Sequence, residues 1–300
     1  NAVGDGNVTL GDRALYSDTS GHRTVAIGKD ALYSFSGSGT THYSSDITKI
    51  VAIGHSAGYF MGSVPGGSWP AATRSKNNIV IGYYAGNTHY AGTSNVIIGT
   101  EAVYGSKNYT QGSVYIGESS GQNVSSGSYN VAVGGYTGRY ATGSYNTFVG
   151  YEAGTGGQTS APYSSGQNNT AVGYQALTAF TTGTANTVMG YDAGKEITTG
   201  GNNVFIGYQA GESSTDTSNS ISIGQGAGRD GDLGDYTTIM GAFAGLNSTG
   251  ASNVLLGYKA GFAIAATANT VLIGAEAGDA INSTDANGTI AIGYQAGSAI

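Results

Sequence analysis

The sequence predicts an all-β chain: a parallel β-solenoid, or β-roll, of about sixteen coils stacked on a repeat of about 17 residues. Three observations carry that prediction. Nearly the same ten letters recur along the chain, as in "NNIVIGYYAG" from Asn77, "NNTAVGYQAL" from Asn168, "NNVFIGYQAG" from Asn202 and "SNVLLGYKAG" from Ser252. Every copy holds an apolar triplet of strand-forming residues, and every triplet is closed by a glycine. A unit repeated from end to end is a construction element rather than a catalytic motif.

Taken in order through one copy, each position has a physical reason. The closing glycines fall at 11, 28, 54, 82, 99, 117, 134, 150, 173, 190, 207, 224, 241, 257, 274 and 293, and eight of the fifteen spacings are 17 residues. Four residues before the Gly, Asn recurs, as at Asn130 and Asn203, which suits side chains bonding up and down a column of equivalent turns. Three before it stands a β-branched residue in every copy, and one before it Ile, Val, Leu or Met. The residue between them is apolar in fourteen of the sixteen copies, so both strand faces are expected to be covered. The Gly itself is expected to make a bend with positive φ or a close backbone approach. Just after it, Tyr occupies seven copies; three after it, Ala occupies fourteen, which marks a place where two layers nearly touch. Seventeen residues without a helical apolar stripe suit a coil of two short strands and two turns.

Composition sets the outer bounds. The 300 residues include 53 glycines, 22 tyrosines and no cysteine, and only 10% are charged. A 39% apolar fraction laid down periodically excludes disorder, and the lack of Cys excludes disulfides and thiolate metal sites. A net charge of −7 argues against a nucleic-acid partner. No run of about 20 apolar residues could insert in a membrane. Residues 1–150 hold eight Lys/Arg and seven Asp/Glu, residues 151–300 three and eleven. The repeat runs to both ends without a cap, which implies a longer parent chain or a capping protein.

The apolar triplet also leads to an expectation about assembly. If residues such as Val204 and Ile206 point into their own roll, the middle residues point out of it. Phe148, Phe205, Ile239, Leu255 and Leu272 would then line the axis of a parallel homotrimer, because a lone chain seldom exposes so long an apolar stripe.

The texture of "TVAIGKDA" from Thr24, "IVAIGHSA" from Ile50 and "NVAVGGYTG" from Asn130 resembles the head domains of trimeric autotransporter adhesins. The longer unit from Asn169 to Thr187 is similar to phage and viral tail-fibre shafts with GYQAG-type repeats. The resemblance covers essentially the whole chain. It implies a left-handed parallel β-roll with three chains to a head, at the cell surface or in a virion tail fibre, and it is specific for architecture rather than for ligand. The 17-residue period is longer than the compact adhesin repeat, which points to a different coil cross-section.

The chain reads as one repetitive domain, 1–300, with inserted loops at 33–49, 58–76 and 154–167. All three prolines and the only Trp lie in the three long spacings. Loops on a rigid scaffold are where recognition usually sits. Tyr43, Tyr59, Phe60, Trp69 and Arg74 are therefore the expected receptor- or glycan-binding residues, and a host cell-surface glycan or protein the expected partner besides the chain itself. No cofactor and no catalytic residue is expected. "GHSAG" (54–58) and "GESSG" (117–121) match G-x-S-x-G but fall within the repeat frame, where G-x-x-A-G is the rule. Asp230, Asp232 and Asp235 are a weak Ca²⁺ candidate, without EF-hand spacing. A non-enzymatic attachment-fibre segment is the leading expectation and an adhesin head the second. A glycan depolymerase scaffold would need paired carboxylates, and an ice-binding face would need a regular Thr array.

Overall fold

The computed structural model describes residues 6–18, 22–34, 49–61, 75–88, 91–105, 109–157, 164–281 and 283–298, with residues 91 and 109 described by backbone only. The chain is a parallel β-solenoid of about 14 turns with a repeat of about 17 residues. Among the described residues there is no α-helix, and one short 3-10 turn spans Thr284–Ala286.

The chain divides into two compact units, Asn1–Asn146 and Thr147–Ile300. In the first, β1 (Val8–Leu10), β2 (Val25–Ile27), β3 (Val51–Ile53), β4 (Ile79–Ile81), β6 (Val96–Ile98), β8 (Val114–Ile116) and β9 (Val131–Val133) pair in that order. A second, two-stranded sheet joins β5 (Ala91–Thr93) to β7 (Tyr109–Gln111). In the second unit the strands run β10 (Thr147–Val149), β11 (Thr170–Val172), β12 (Thr187–Met189), β13 (Val204–Ile206), β14 (Ile221–Ile223), β15 (Thr238–Met240), β16 (Val254–Leu256), β17 (Val271–Ile273) and β18 (Ile290–Ile292). All pairs are parallel and register never slips: Val204, Phe205 and Ile206 face Ile221, Ser222 and Ile223.

Among the described residues, the expected second strand of each coil appears only as β5 and β7. The rest of the coil is turn, because it passes through left-handed backbone at three places. In the coil of Gly207 these are Asn202 (φ 60), Gln209 (φ 54) and Gly211 (φ 58), and equivalent residues recur throughout. Non-glycine residues held there carry a cost of about 1–3 kcal/mol each, so neighbouring coils must hold the turn in place. They do so through backbone bonds such as Gln209 N–H to Tyr191 O (2.8 Å) and Gly211 N–H to Ala227 O (2.9 Å).

The closing glycines fulfil both expectations. Gly207 has φ 134, and a Cβ on it would lie 2.5 Å from the carbonyl oxygen of Gly224 in the next coil. Stacked coils about 4.8 Å apart leave no room for a methyl group there. The Asn column is also present. Oδ1 of Asn186 accepts from Asn203 N–H (3.1 Å), Oδ1 of Asn203 accepts from Ser220 N–H (3.0 Å), and Ser220 Oγ accepts from Thr237 N–H (3.0 Å). Each Asn amide also donates across the coil, as Asn203 Nδ2 does to Thr217 O (2.6 Å). The column satisfies backbone groups that the turns would otherwise bury unpaired.

The facing of the triplet is the reverse of the expectation. Phe205, Ile239, Leu255 and Leu272 are fully buried and Phe148 is 1% exposed, within a single chain. They fill the interior of their own coils and line no axis between chains. The flanking residues Val204 and Ile206 are only half-buried. The cause is the thinness of the coil. The turn after each Gly folds back beneath the middle residue so closely that a Cβ on Gly211 would lie 2.6 Å from the Phe205 ring. Interior space thus admits one inward side chain per strand. Its size is matched within the coil: where the middle residue is Ala171, Leu177 and Phe180 are buried below it, and where it is Phe205, the equivalent positions are Gly211 and Ser214.

Candidate functional site

Two of the expected binding residues, Tyr59 and Phe60, are described; Tyr43, Trp69 and Arg74 lie outside the described residues. Tyr59 and Phe60 stand in the turn after β3, directly before residues 62–74. Counted from the closing Gly, Tyr16, Tyr33 and Tyr59 occupy the same place in three successive coils. The stacking of coils therefore stacks their rings: Tyr16 on Tyr33 at 5.1 Å and 3°, Tyr33 on Tyr59 at 4.8 Å and 18°. Phe60 meets Tyr59 edge-on at 4.6 Å. In the following coil Asn87 takes the tyrosine's place, and its carbonyl accepts from Phe60 N–H (3.0 Å).

Beside this column lies an open cleft of about 440 Å³. It is lined by Tyr59, Phe60 and Asn87, at or just after the tyrosine's place in the turn, and by Asp30, His55, Ser56 and Tyr84, from the first residues after the closing glycines. His55 stacks on Tyr83 at 5.4 Å and meets Tyr84 edge-on at 5.5 Å. Its Nδ1 is buried and has no hydrogen-bond partner among the described residues. Asp30, 6% exposed, is clamped by Arg13: Nε lies 2.8 Å from Oδ1, and Nη2 donates to Oδ2 at 2.8 Å. Arg13 in turn lies 5.4 Å above the Tyr33 ring. The guanidinium offsets the carboxylate's charge through one hydrogen bond and one close contact, and Oδ1 is left without a hydrogen bond among the described residues. Asn87 Nδ2 reaches Ser56 O at 3.4 Å. Burial, then the neighbouring Tyr33 and Asp30, push the Tyr59 phenol above its ordinary value, so it keeps its proton and can donate.

Ser56 belongs to "GHSAG", so the cleft gathers a serine, a histidine and an aspartate. No described hydrogen bond links them, and Asp30 is held by Arg13 rather than by His55. The left-handed φ of 55 at Ser56 is the rule of the repeat, shared by Ser119 of "GESSG" (φ 52) and Glu152 (φ 57). The Ca²⁺ candidate does not assemble. Asp230 pairs with Arg229 (2.6 Å), whose hydrogen bonds hold its carboxyl below the ordinary value. Asp232 accepts from Thr215 N–H (2.8 Å), and Asp235 from Ser218 N–H (2.8 Å). Each carboxylate is engaged with a different neighbour, and no group of three or more His, Asp or Glu able to hold a metal occurs among the described residues.

The other surface of note is the outward side of the sheets. Each triplet presents its two flanking aliphatic or β-branched side chains there, half-buried along most strands and more exposed at Val149 (37%), Met189 (45%) and Met240 (44%). In the second unit Tyr151, Tyr174, Tyr191 and Tyr208 run alongside as a stacked column, with centroids 5.7, 5.0 and 5.2 Å apart.

Of the residues that line the cleft, the aromatic insertions draw attention to Tyr59 and Phe60 as binding candidates, but not to Asp30, His55, Tyr84 or Asn87. The available signal was positional, since Asp30, His55, Tyr84 and Asn87 stand two, one, two and five residues after glycines 28, 54, 82 and 82. No helix among the described residues is long and apolar enough to cross a membrane. The chain matches no protein-family model, no curated protein and no solved structure.

Proposed function

We propose that the chain is a non-enzymatic segment of an extracellular attachment fibre, of the phage or viral tail-fibre kind, that associates with copies of itself and presents a recognition surface near its insertions. The outward sheet face carries this reading. Columns of aliphatic side chains repeat there at the coil spacing, about 4.8 Å. A lone chain leaves them partly exposed, and a second copy of the same solenoid is the surface whose columns match that spacing over many coils. Three copies remain the proposed number, with the contact moved from the middle residues to the flanks, such as Val204 and Ile206. A bacterial adhesin head, the second reading, would use the same contact.

The test is sedimentation of the native chain and of Ile206→Asp combined with Met240→Asp. The native chain is expected to sediment as a trimer at micromolar concentration. The double variant should keep its β-sheet dichroism and become monomeric, since charges at an apolar contact are costly to desolvate. A native monomer, or a variant that stays associated, refutes the proposed contact. Attachment is read separately, by binding of the labelled chain to a panel of bacterial cells.

A further inference from the structure

We infer that the cleft between Phe60 and Tyr84 binds a neutral pyranose, as a terminal hexose or a short neutral oligosaccharide. The inference rests on the attachment reading and supplies its ligand. Four observations bear on it. The cleft, at about 440 Å³, lies within the roughly 300–1,000 Å³ of small-molecule sites. Its lining combines the rings of Tyr59, Phe60, Tyr84 and His55 with polar groups from Asp30, His55, Ser56 and Asn87. A sugar has that same division, with C–H faces that pack on rings and hydroxyls that both donate and accept. The orphaned His55 Nδ1 provides a point that one such hydroxyl would complete, whichever proton state the imidazole holds. The one carboxylate present, Asp30, is offset in charge by the adjacent Arg13, so the pair offers no net charge with which to select an acid or an amine, and its buried Oδ1, which makes no hydrogen bond among the described residues, is a second point a hydroxyl could complete.

The geometry also argues against other ligands. Among the described residues no lysine lines the cleft, and its nearest arginine is committed to Asp30, which leaves nothing there to hold a phosphate. Tyr59 and Phe60 meet edge to face, as do His55 and Tyr84, so neither pair forms a parallel stack with which a flat aromatic ligand would continue. The positioning is rigid for a turn. Tyr84 N–H is bonded to His55 O (3.0 Å) and Phe60 N–H to Asn87 O (3.0 Å), which fixes both groups of lining residues to successive coils.

The test uses the full chain and three neutral probes: the methyl glycosides of glucose, mannose and galactose. Glucuronate and glucosamine serve as charged counterparts. Saturation-transfer NMR and tyrosine fluorescence report binding, and thermal melting by dichroism reports folding. At least one neutral glycoside is expected to bind with millimolar affinity and about tenfold more tightly than either charged sugar. His55→Leu and Tyr84→Ala should each weaken it about tenfold with the melt preserved. His55→Asn, which keeps a polar atom near the Nδ1 position, should retain most of the affinity. The inference is overturned if no neutral glycoside binds at tens of millimolar, if a charged sugar binds more tightly, or if binding survives both His55→Leu and Tyr84→Ala. Should the chain attach to cells and self-associate while no neutral sugar enters the cleft, this inference fails and the fibre reading stands. If a neutral sugar binds with the stated variant pattern but the chain attaches to no cell, the ligand assignment stands and the attachment reading fails.

Discussion

Replacing Phe205 with Ala tests how the interior of a coil is filled. The ring is fully buried, and the turn beneath it is a glycine, Gly211, followed three residues later by Ser214, so its own coil holds no large side chain to fill the space. Removing a buried Phe costs about 3–5 kcal/mol in such a setting. The coil of Ala171 shows how the same backbone is filled without a ring in the sheet, with Leu177 and Phe180 at the equivalent turn positions. Leu177 holds φ 54 and Gly211 φ 58, so a leucine at 211 can adopt the backbone already present. The triple change Phe205→Ala, Gly211→Leu and Ser214→Phe therefore transplants one coil's interior into another. It is expected to recover more than half of the loss, about 2 kcal/mol or more. The assay is urea unfolding followed by far-ultraviolet dichroism, with amide exchange at Ile206 and Ile223 to catch local opening, since stacked repeats need not unfold as one. A cost below about 1 kcal/mol for Phe205→Ala would show that the ring does not fill the core. A triple variant no more stable than the single would refute size matching within the coil.

Two further changes address the buried polar groups. Asn203→Ala removes the acceptor of Ser220 N–H and the donor to Thr217 O, at roughly 1–3 kcal/mol for each group left unpaired; Asn203→Ser should restore part of this, as Ser220 already fills the same place in the next coil. Faster amide exchange at Ser220 in the Ala variant is the expected readout, and unchanged exchange would count against the column. Tyr115 is buried, and that burial, outweighing the opposing pull of Asn130 and Ser113, raises its phenol from 10.0 to about 12. A raised folded value means the unfolded chain loses the proton first. Stability is then full below pH 10 and falls by about 3 kcal/mol between pH 10 and 12, at about 1.4 kcal/mol per pH unit. Tyr115→Phe should flatten that part of the stability curve, and an unaltered slope between the two chains would refute the assignment.

The sequence by itself determined the period, the strand positions, the need for glycine at each coil's close and the Asn column, because each is a local demand repeated at fixed spacing. β-Branched residues at one offset set the strand, and a close backbone approach at another excludes any side chain. It also pointed to Tyr59 and Phe60, through the clustering of aromatics at the insertions. Three matters were decided only by tertiary structure. The inward face of the triplet could not be read, because all three residues are apolar and a triplet permits either parity; the thin coil, closed by Gly211 under Phe205, admits only the middle one. The second wall became turn rather than strand, since residues such as Asn202 and Gln209 are held left-handed by bonds to neighbouring coils, which their identities do not reveal. The cleft brings together Asp30, His55 and Tyr84 from three successive coils, 25 and 29 residues apart in sequence, because stacking turns an offset within the repeat into a neighbour in space.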